Sequence, residues 1–379
     1  MIILIFYLIS LLYLFLIIFL YQGWKKLKTP MAGNENYSDK VKVSVVIPAR
    51  NEQNNIGNLL NDIDSQNYPE PWVEVIVVDD ASSDKTAEVV KKWTEYNSMT
   101  VKLLELEDKT GHPSPKKRAL SYGINHCSAD LVITTDADCR AGKGWIASIV
   151  KHYLASGAKM ISGPVRLTPI TDFFSKLQAL EFLSLVGSGA GSVAKGKPLM
   201  ANGANLAFSK KAFEKVGGYQ GNEMQASGDD VFLMLKMNEY FKENSISFLK
   251  DEEAIVDTPP KPTWKEFLSQ RTRWASKTKA YKNFFSIFAS GVVFLFCIAI
   301  IIATIGLVFG GFHSEMVIFM WAVKLGVDFL FLWSISRFMK QNELMRYYLP
   351  AQLFVIGYTT IAGFLGALGG FSWKGRRYG

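Results

Sequence analysis

Cysteine is scarce in this chain: Cys127, Cys139 and Cys297 are the only three, too few and too scattered for a disulfide framework or a zinc site. A reducing compartment is consistent with that usage. No internal repeat of solenoid period and no low-complexity block is present, which sets aside repeat arrays. Charge is missing altogether from the first twenty residues, Met1 to Leu20. This run also lacks a basic leader and a small-residue cleavage site, so it reads as an anchor and not as a removed signal peptide.

What is present is a mixture. Aromatics make up 13% and mean hydropathy is +0.12, high for a soluble enzyme, yet charged residues still reach 20%. Such a chain accommodates one domain of roughly 200–250 residues together with membrane segments. The N-terminal run matches the ~20 residues needed to cross a bilayer, and three more apolar stretches follow near 284–311, 316–336 and 349–371. The expected division is an anchor at 1–22, a polar linker at 23–40, a catalytic domain at 41–260, an interfacial segment at 261–283, C-terminal spans at 284–371 and a basic tail at 372–379.

Lys25, Lys26 and Lys28 flank the first span, and Lys277, Lys279 and Lys282 precede the second, so the positive-inside rule puts the long intervening segment in the cytoplasm. Arg337, Lys340 and Arg346 then fall inside, whereas Lys374, Arg376 and Arg377 fall outside. A re-entrant last segment, or a short tail that crosses regardless, reconciles the count. The net charge of +8 gathers beside apolar spans, where anionic lipid headgroups account for it without nucleic acid. Lys324 and Asp328, four apart inside the third span, share one helix face; mutual neutralisation is the preferred reading over a functional pair.

Between the spans, β-branched runs at 41–47, 73–78, 101–106 and 131–135 alternate with stretches of helical period near 53–65, 84–96 and 116–126. That alternation predicts a Rossmann-like α/β domain with a mostly parallel sheet and helices on both faces. Ligands in such sheets bind at the carboxyl ends of the strands, and here those ends carry acids.

Asp136-Ala-Asp138 follows the fourth run. If the chain stays extended there, both carboxylates point the same way, as hard oxygen ligands for Mg²⁺ or Mn²⁺. A lone Asp-x-Asp is more often a solvated turn; the strand-end position and the partner motifs favour the metal. Pro48-Ala-Arg-Asn-Glu52 follows the first run and Asp79-Asp80 the second, where carboxylates can accept from a pyrimidine imide and from ribose hydroxyls. The alternative for Asp80 or Ser82 is a helix cap. Lys116-Lys-Arg118 opens a helix, as a diphosphate contact or a plain solvated face. Farther on come the small-residue stretch 201–208, the pair Asp229-Asp230 before a helix-like run, and Gln270-Arg-Thr-Arg-Trp274 in a basic aromatic segment of interfacial type.

Five of these motifs, Pro48–Glu52, Asp79-Asp80, Asp136–Asp138, Asp229-Asp230 and Gln270–Trp274, in that order along the chain between about Val43 and Trp274, resemble the family-2 inverting glycosyltransferases of the GT-A fold. The resemblance is to the membrane-integrated branch that includes cellulose, hyaluronan and poly-N-acetylglucosamine synthases and the ceramide-type glucosyltransferases. It implies a GT-A catalytic domain with one N-terminal and about three C-terminal transmembrane helices. It further implies a nucleotide-sugar donor, with a UDP-sugar as the family's prior, and a divalent metal. By the same resemblance Glu52, Asp79 and Asp80 are nucleoside contacts, with Pro48 and Lys116 beside the donor, and Asp136 and Asp138 are donor and metal carboxylates. Asp230 is the general base with Asp229 as its neighbour, and Gln270, Arg273 and Trp274 meet the donor pyrophosphate and acceptor.

Two departures stand out. The family's Glu-Asp pair reads Asp229-Asp230 here, and Pro115 replaces the glycine before Lys116. Four spans favour single transfer to a lipid or lipid-linked acceptor at the cytoplasmic face of the cell (inner) membrane; a processive polysaccharide synthase and a catalytically silent scaffold are the competing readings.

Overall fold

A computed structural model of the chain describes residues 2–29, 41–107, 114–221, 228–281, 283–368, 371–373 and 376–378. Most of the expected linker, together with Lys282 and Lys374, lies outside the described residues. In chain order come α1 (Ile2–Lys26), β1 (Val43–Ala49), α2 (Ile56–Asp64), β2 (Val73–Asp80), α3 (Thr86–Tyr96), β3 (Val101–Leu106), α4 (Pro115–Asn125) and β4 (Leu131–Thr134). They continue with β5 (Arg140–Ala141), α5 (Trp145–Ser156), β6 (Met160–Ser162), β7 (Val165–Leu167), α6 (Phe173–Ala194), β8 (Leu206–Ser209), α7 (Lys210–Lys215) and α8 (Asp229–Phe241). Last are β9 (Ile246–Phe248), β10 (Val256–Thr258), α9 (Trp264–Ser276), α10 (Phe284–Val308), α11 (Ser314–Phe338), α12 (Tyr348–Leu368), β11 (Phe371–Trp373) and β12 (Arg376–Tyr378).

The chain forms two compact units. One comprises Leu27–Thr168 and Met200–Pro259; the other comprises Met1–Lys26, Pro169–Leu199 and Pro260–Gly379. Residues 169–199, expected inside the stretch 41–260, therefore group with the apolar helices.

The first unit is built on a seven-stranded sheet in the order β3-β2-β1-β4-β8-β6-β9. Strands β3, β2, β1 and β4 run parallel, while β8 is antiparallel to both β4 and β6. Val and Ile fill both faces of β1 and β2, as strands covered on two sides require. Pro48 is tolerated in β1 because the ladder with β4 has ended two residues earlier, at Val46. Helix α4 lies close against the sheet at Gly123, where a Cβ would stand 2.6 Å from Val46 Cγ1 and 2.9 Å from Val78 Cγ2.

At the opposite, starting end of these strands the buried Glu74 carboxylate accepts from Ser44 Oγ, from Ser128 N at 2.5 Å and Oγ at 2.8 Å, and from Lys102 Nζ at 3.2 Å. It thereby ties three strands to the turn before β4. Burial alone would raise its pKa, but these donors outweigh it and bring the group from 4.5 down to about 2.

Among the described residues the helical unit contains four helices long and apolar enough to cross a membrane: Ile3–Lys26, Phe284–Val308, Ser314–Phe338 and Asn342–Ala367. At its centre α1 and α6 meet backbone to backbone. A Cβ on Gly23 would lie 2.0 Å from Gly191 O, and one on Gly191 would lie 2.1 Å from Leu20 O, so glycine is required at both. Lys324 and Asp328 of α11 neutralise each other, Nζ to Oδ2 at 2.5 Å, and Tyr13 of α1 joins them, accepting from Lys324 at 2.9 Å and donating to Asp328 at 2.8 Å. Near the expected basic tail, Phe371–Trp373 and Arg376–Tyr378 pair as antiparallel strands.

The depressed Glu74 pKa sets the sign of a pH effect. Its stabilisation is complete above about 4.5 and is lost as pH falls through about 2. Glu74→Gln is expected to cost roughly 2–3 kcal/mol near neutrality, read from thermal unfolding in detergent, with the gap from wild type closing toward pH 2. Equal unfolding temperatures at pH 7 would show that the cluster contributes nothing.

Candidate active site

At the carboxyl ends of β1 and β2 two loops cross-link. Asn51 N donates to Ser82 Oγ at 2.9 Å, and Ser83 N returns a bond to Asn51 Oδ1 at 2.9 Å. Glu52 N donates to Thr86 Oγ1 at 2.8 Å, and Gln53 N to Asp84 Oδ2 at 3.1 Å. Asn51 and Ala81 take positive φ, 56° and 54°, and a non-glycine residue holds that conformation only where its surroundings enforce it. Neither Asp80 nor Ser82 caps α3. The N-cap is Lys85, and Asp84 just before it accepts from Thr86 N at 3.0 Å; Asp80 still belongs to the strand and Ser82 is turned back toward Asp79.

The adjacent acids of β2 divide their tasks. Asp79 accepts from Ser82 Oγ and, at 3.3 Å, from Ser82 N, and burial raises its pKa. It shapes the turn. Asp80 receives Arg118 Nη2 at 2.6 Å, with Arg50 Nη1 at 3.7 Å from its other oxygen and 2.6 Å from its carbonyl. Glu52 accepts from Asn55 Nδ2 at 2.7 Å on the same rim.

The second cluster gathers around Lys116. Its Nζ lies 2.6 Å from Asp136 Oδ1 and 3.6 Å from Asp229 Oδ2. Burial opposes the ammonium charge, but Asp136 and Asp229 outweigh it and push the pKa above that of an ordinary lysine. A lysine in the first turn of α4 faces the positive end of the helix dipole, and these acids compensate for that position. Lys116 and Arg118, two residues apart on α4, thus hold the two clusters from one helix end.

The chain does not stay extended past β4. Cys139 N donates to Asp136 O at 3.1 Å, closing a turn, and Asp138 stands half-buried in it with the Cys139 thiol 3.9 Å from Oδ1. The shared side expected of an extended Asp136-Ala-Asp138 is therefore replaced by turn geometry. Asp229 and Asp230 occupy the first turn of α8, whose N-cap is Gly228 at φ 84°, so neither acid is the cap. Asp230 Oδ1 accepts from Val231 N at 2.7 Å and Oδ2 from Gly203 N at 3.2 Å. Gly203 O in turn accepts from Thr134 Oγ1 at 3.2 Å. One residue of the small-residue stretch thereby fixes the end of β4 to the start of α8.

Among the described residues no group of three or more His, Cys, Asp or Glu side chains is gathered closely enough to hold a metal ion alone. The donor chemistry nonetheless fits Mg²⁺ or Mn²⁺, which take one or two carboxylates and complete their shell with phosphate and water. The ammonium of Lys116 between Asp136 and Asp229 marks the place as one that stabilises positive charge.

Gln270, Arg273 and Trp274 lie on α9 of the helical unit. Arg271 contacts Gln270 and Trp274 there. Its guanidinium bonds Glu181 of α6 and donates to Gln270 Oε1 at 2.5 Å, and it stacks 4.1 Å from the Trp274 ring centroid. Arg118, already named within Lys116-Lys-Arg118, pairs with Asp80, whereas Arg50 and Arg271, to which the sequence assigned no role, pair with Asp80 and Glu181 respectively. The available signal was that Arg50 and Arg271 each stand inside a motif, Pro48–Glu52 and Gln270–Trp274.

The model for glycosyl transferase family 2 matches residues 44–217, and that for glycosyl transferase family group 2 matches 131–365, more than half of the chain. The chain belongs to the family-2 glycosyltransferases. It is similar to the probable glycosyltransferase YdaM of Bacillus subtilis, 29% identical over 252 residues, covering 64% of this chain and 56% of the relative. It is also similar to glycosyltransferase AglE of Haloferax volcanii, 29% identical over 196 residues, 49% of this chain and 58% of that one. The matches thus span little more than half the length of these curated relatives. Among solved structures, the mannosyltransferase PcManGT from Pyrobaculum calidifontis, in complex with GDP-Man and Mn²⁺, aligns with a TM-score of 0.58 at 20% identity, over 95% of this chain and 99% of that one. The fold is GT-A.

Gly203 supplies a test of the cluster's packing. A Cβ there would stand 3.2 Å from Asp229 Oδ2 and 3.5 Å from Lys116 Nζ. Gly203→Val is expected to displace both side chains and to reduce nucleotide release roughly tenfold or more, while the unfolding temperature moves little. Full turnover in that variant would show that the crowding has no bearing on activity.

Proposed function

We propose that the protein transfers a sugar, with inversion, from a nucleotide-sugar donor to a lipid or lipid-linked acceptor at the cytoplasmic face of the cell membrane. The observation that carries this reading is the charge arrangement at the strand ends: Lys116 between Asp136 and Asp229, with Asp230 held by Gly203 beside them. A nucleoside diphosphate with its counter-ion needs such a place. The GDP-mannose and Mn²⁺ of PcManGT support a diphosphate donor and a divalent ion, and the four apolar helices support an acceptor drawn from the bilayer. A UDP-sugar remains the family's prior.

In this reading Asp80 and Glu52 bind the nucleoside, and Asp79 keeps their loop in shape. Lys116 offsets negative charge on the diphosphate. Asp136 and Asp138 would hold Mg²⁺ or Mn²⁺, which when bound supplies Lewis-acid stabilisation of the leaving diphosphate. Asp230 accepts the proton of the acceptor hydroxyl as that oxygen bonds to the anomeric carbon and the bond to the diphosphate breaks on the opposite face. Two backbone N–H groups orient its carboxylate. We assign Gln270, Arg273 and Trp274 to the same reaction on the strength of their motif.

Asp230→Asn should abolish sugar transfer while calorimetry still detects donor binding; unchanged turnover would remove the proposed base. Chelation by EDTA should stop nucleotide release and added Mn²⁺ or Mg²⁺ should restore it. Activity that persists under full chelation would remove the metal. A panel of donors supplied with membrane lipids, followed by mass spectrometry of the lipid product, identifies donor and acceptor together.

A further inference from the structure

Helix α9 is held within the helical unit by one buried polar assembly. Glu181 of α6 and Arg271 of α9 are 1% and 4% exposed, and Arg271 bonds both oxygens of Glu181, Nε to Oε1 at 3.0 Å and Nη2 to Oε2. Tyr358 of α12 donates to Glu181 Oε1 at 2.5 Å. One turn earlier on α6, Gln178 exchanges two bonds with the Lys261 backbone, at 2.9 and 3.0 Å, just ahead of α9. Phe267, Arg271 and Trp274 lie on one helical face, and the guanidinium plane lies 4.5 Å from the first ring centroid and 4.1 Å from the second.

A buried ion pair of this kind adds little net stability over well-packed apolar residues of the same volume, because desolvation offsets the attraction. Its geometry does something apolar packing cannot. The planar fork has a fixed direction, so with two nitrogens committed to Glu181 the third points Nη1 at Gln270 Oε1. The Trp274 ring lies against the same guanidinium.

We infer that Arg271 is a positioning residue for sugar transfer: anchored by Glu181 and Tyr358, it sets the orientation of Gln270 and Trp274. The inference rests on the assignment of that motif to the reaction.

The test uses the full-length protein in nanodiscs and a double-mutant cycle. Arg271→Lys keeps the charge and loses the fork. It should lower kcat roughly 10- to 100-fold in the wild-type background and less than about twofold in the Gln270→Ala/Trp274→Ala background, since there is nothing left to orient. Equal losses in the two backgrounds would reduce Arg271 to a structural tie and overturn the inference. Should Arg271→Lys fail to fold, Tyr358→Phe removes only the far hydroxyl and is expected to give a smaller loss with the same background dependence; an equal effect in both backgrounds counts against the role. Full turnover in the Gln270→Ala/Trp274→Ala protein itself would remove the motif from the reaction, and the positioning role with it.

Discussion

Negative charge brought together at the ends of parallel strands has to be balanced, and that requirement organises the candidate site. Unit charges 4 Å apart interact by about 4 kcal/mol at an effective dielectric near 20, so Asp136 and Asp229 cannot sit near each other without a cation. Lys116 supplies it at 2.6 and 3.6 Å, and Arg118 does the same for Asp80 at 2.6 Å. Both cations come from the first turns of α4, and the glycine at position 123 is what lets that helix lie so close to β1 and β2. The charge balance at the site therefore depends on a packing detail in the core.

The helical unit meets the same requirement in apolar surroundings. Lys324, Asp328 and Tyr13 close one network, and Glu181, Arg271 and Tyr358 close another. Each satisfies charge within the protein, as burial demands. The two differ in their reach. The first joins α1 to α11 and ends there, whereas the second extends through Arg271 to side chains of the Gln270–Trp274 motif.

Membership of the family-2 glycosyltransferases and the GT-A fold give the carboxylates a common context. The substitution of Asp229 for the family's glutamate shortens that side chain by one methylene, and Lys116 reaches into the same space, as the proximity of both to Gly203 records. The replacement of glycine by Pro115 is accommodated because proline stands at the first position of α4, where its missing N–H has no partner to lose.

Much of the architecture was legible from residue order alone. β-branched runs marked the four parallel strands to within two or three residues, and long, mostly apolar runs marked the four candidate spans, because both signals are local. The acids at the strand ends were legible for the same reason. Tertiary structure decided what depends on partners distant in sequence. Asp80 meets Arg118 across 38 residues, Glu181 meets Arg271 across 90, and residues 169–199 join the apolar helices because Gly191 is small enough for α1 to lie against it. The turn that replaces an extended Asp136–Asp138 and the antiparallel entry of β8 belong to the same group. A chain's local pattern states which face each residue prefers, but not which distant charge will come to neutralise it.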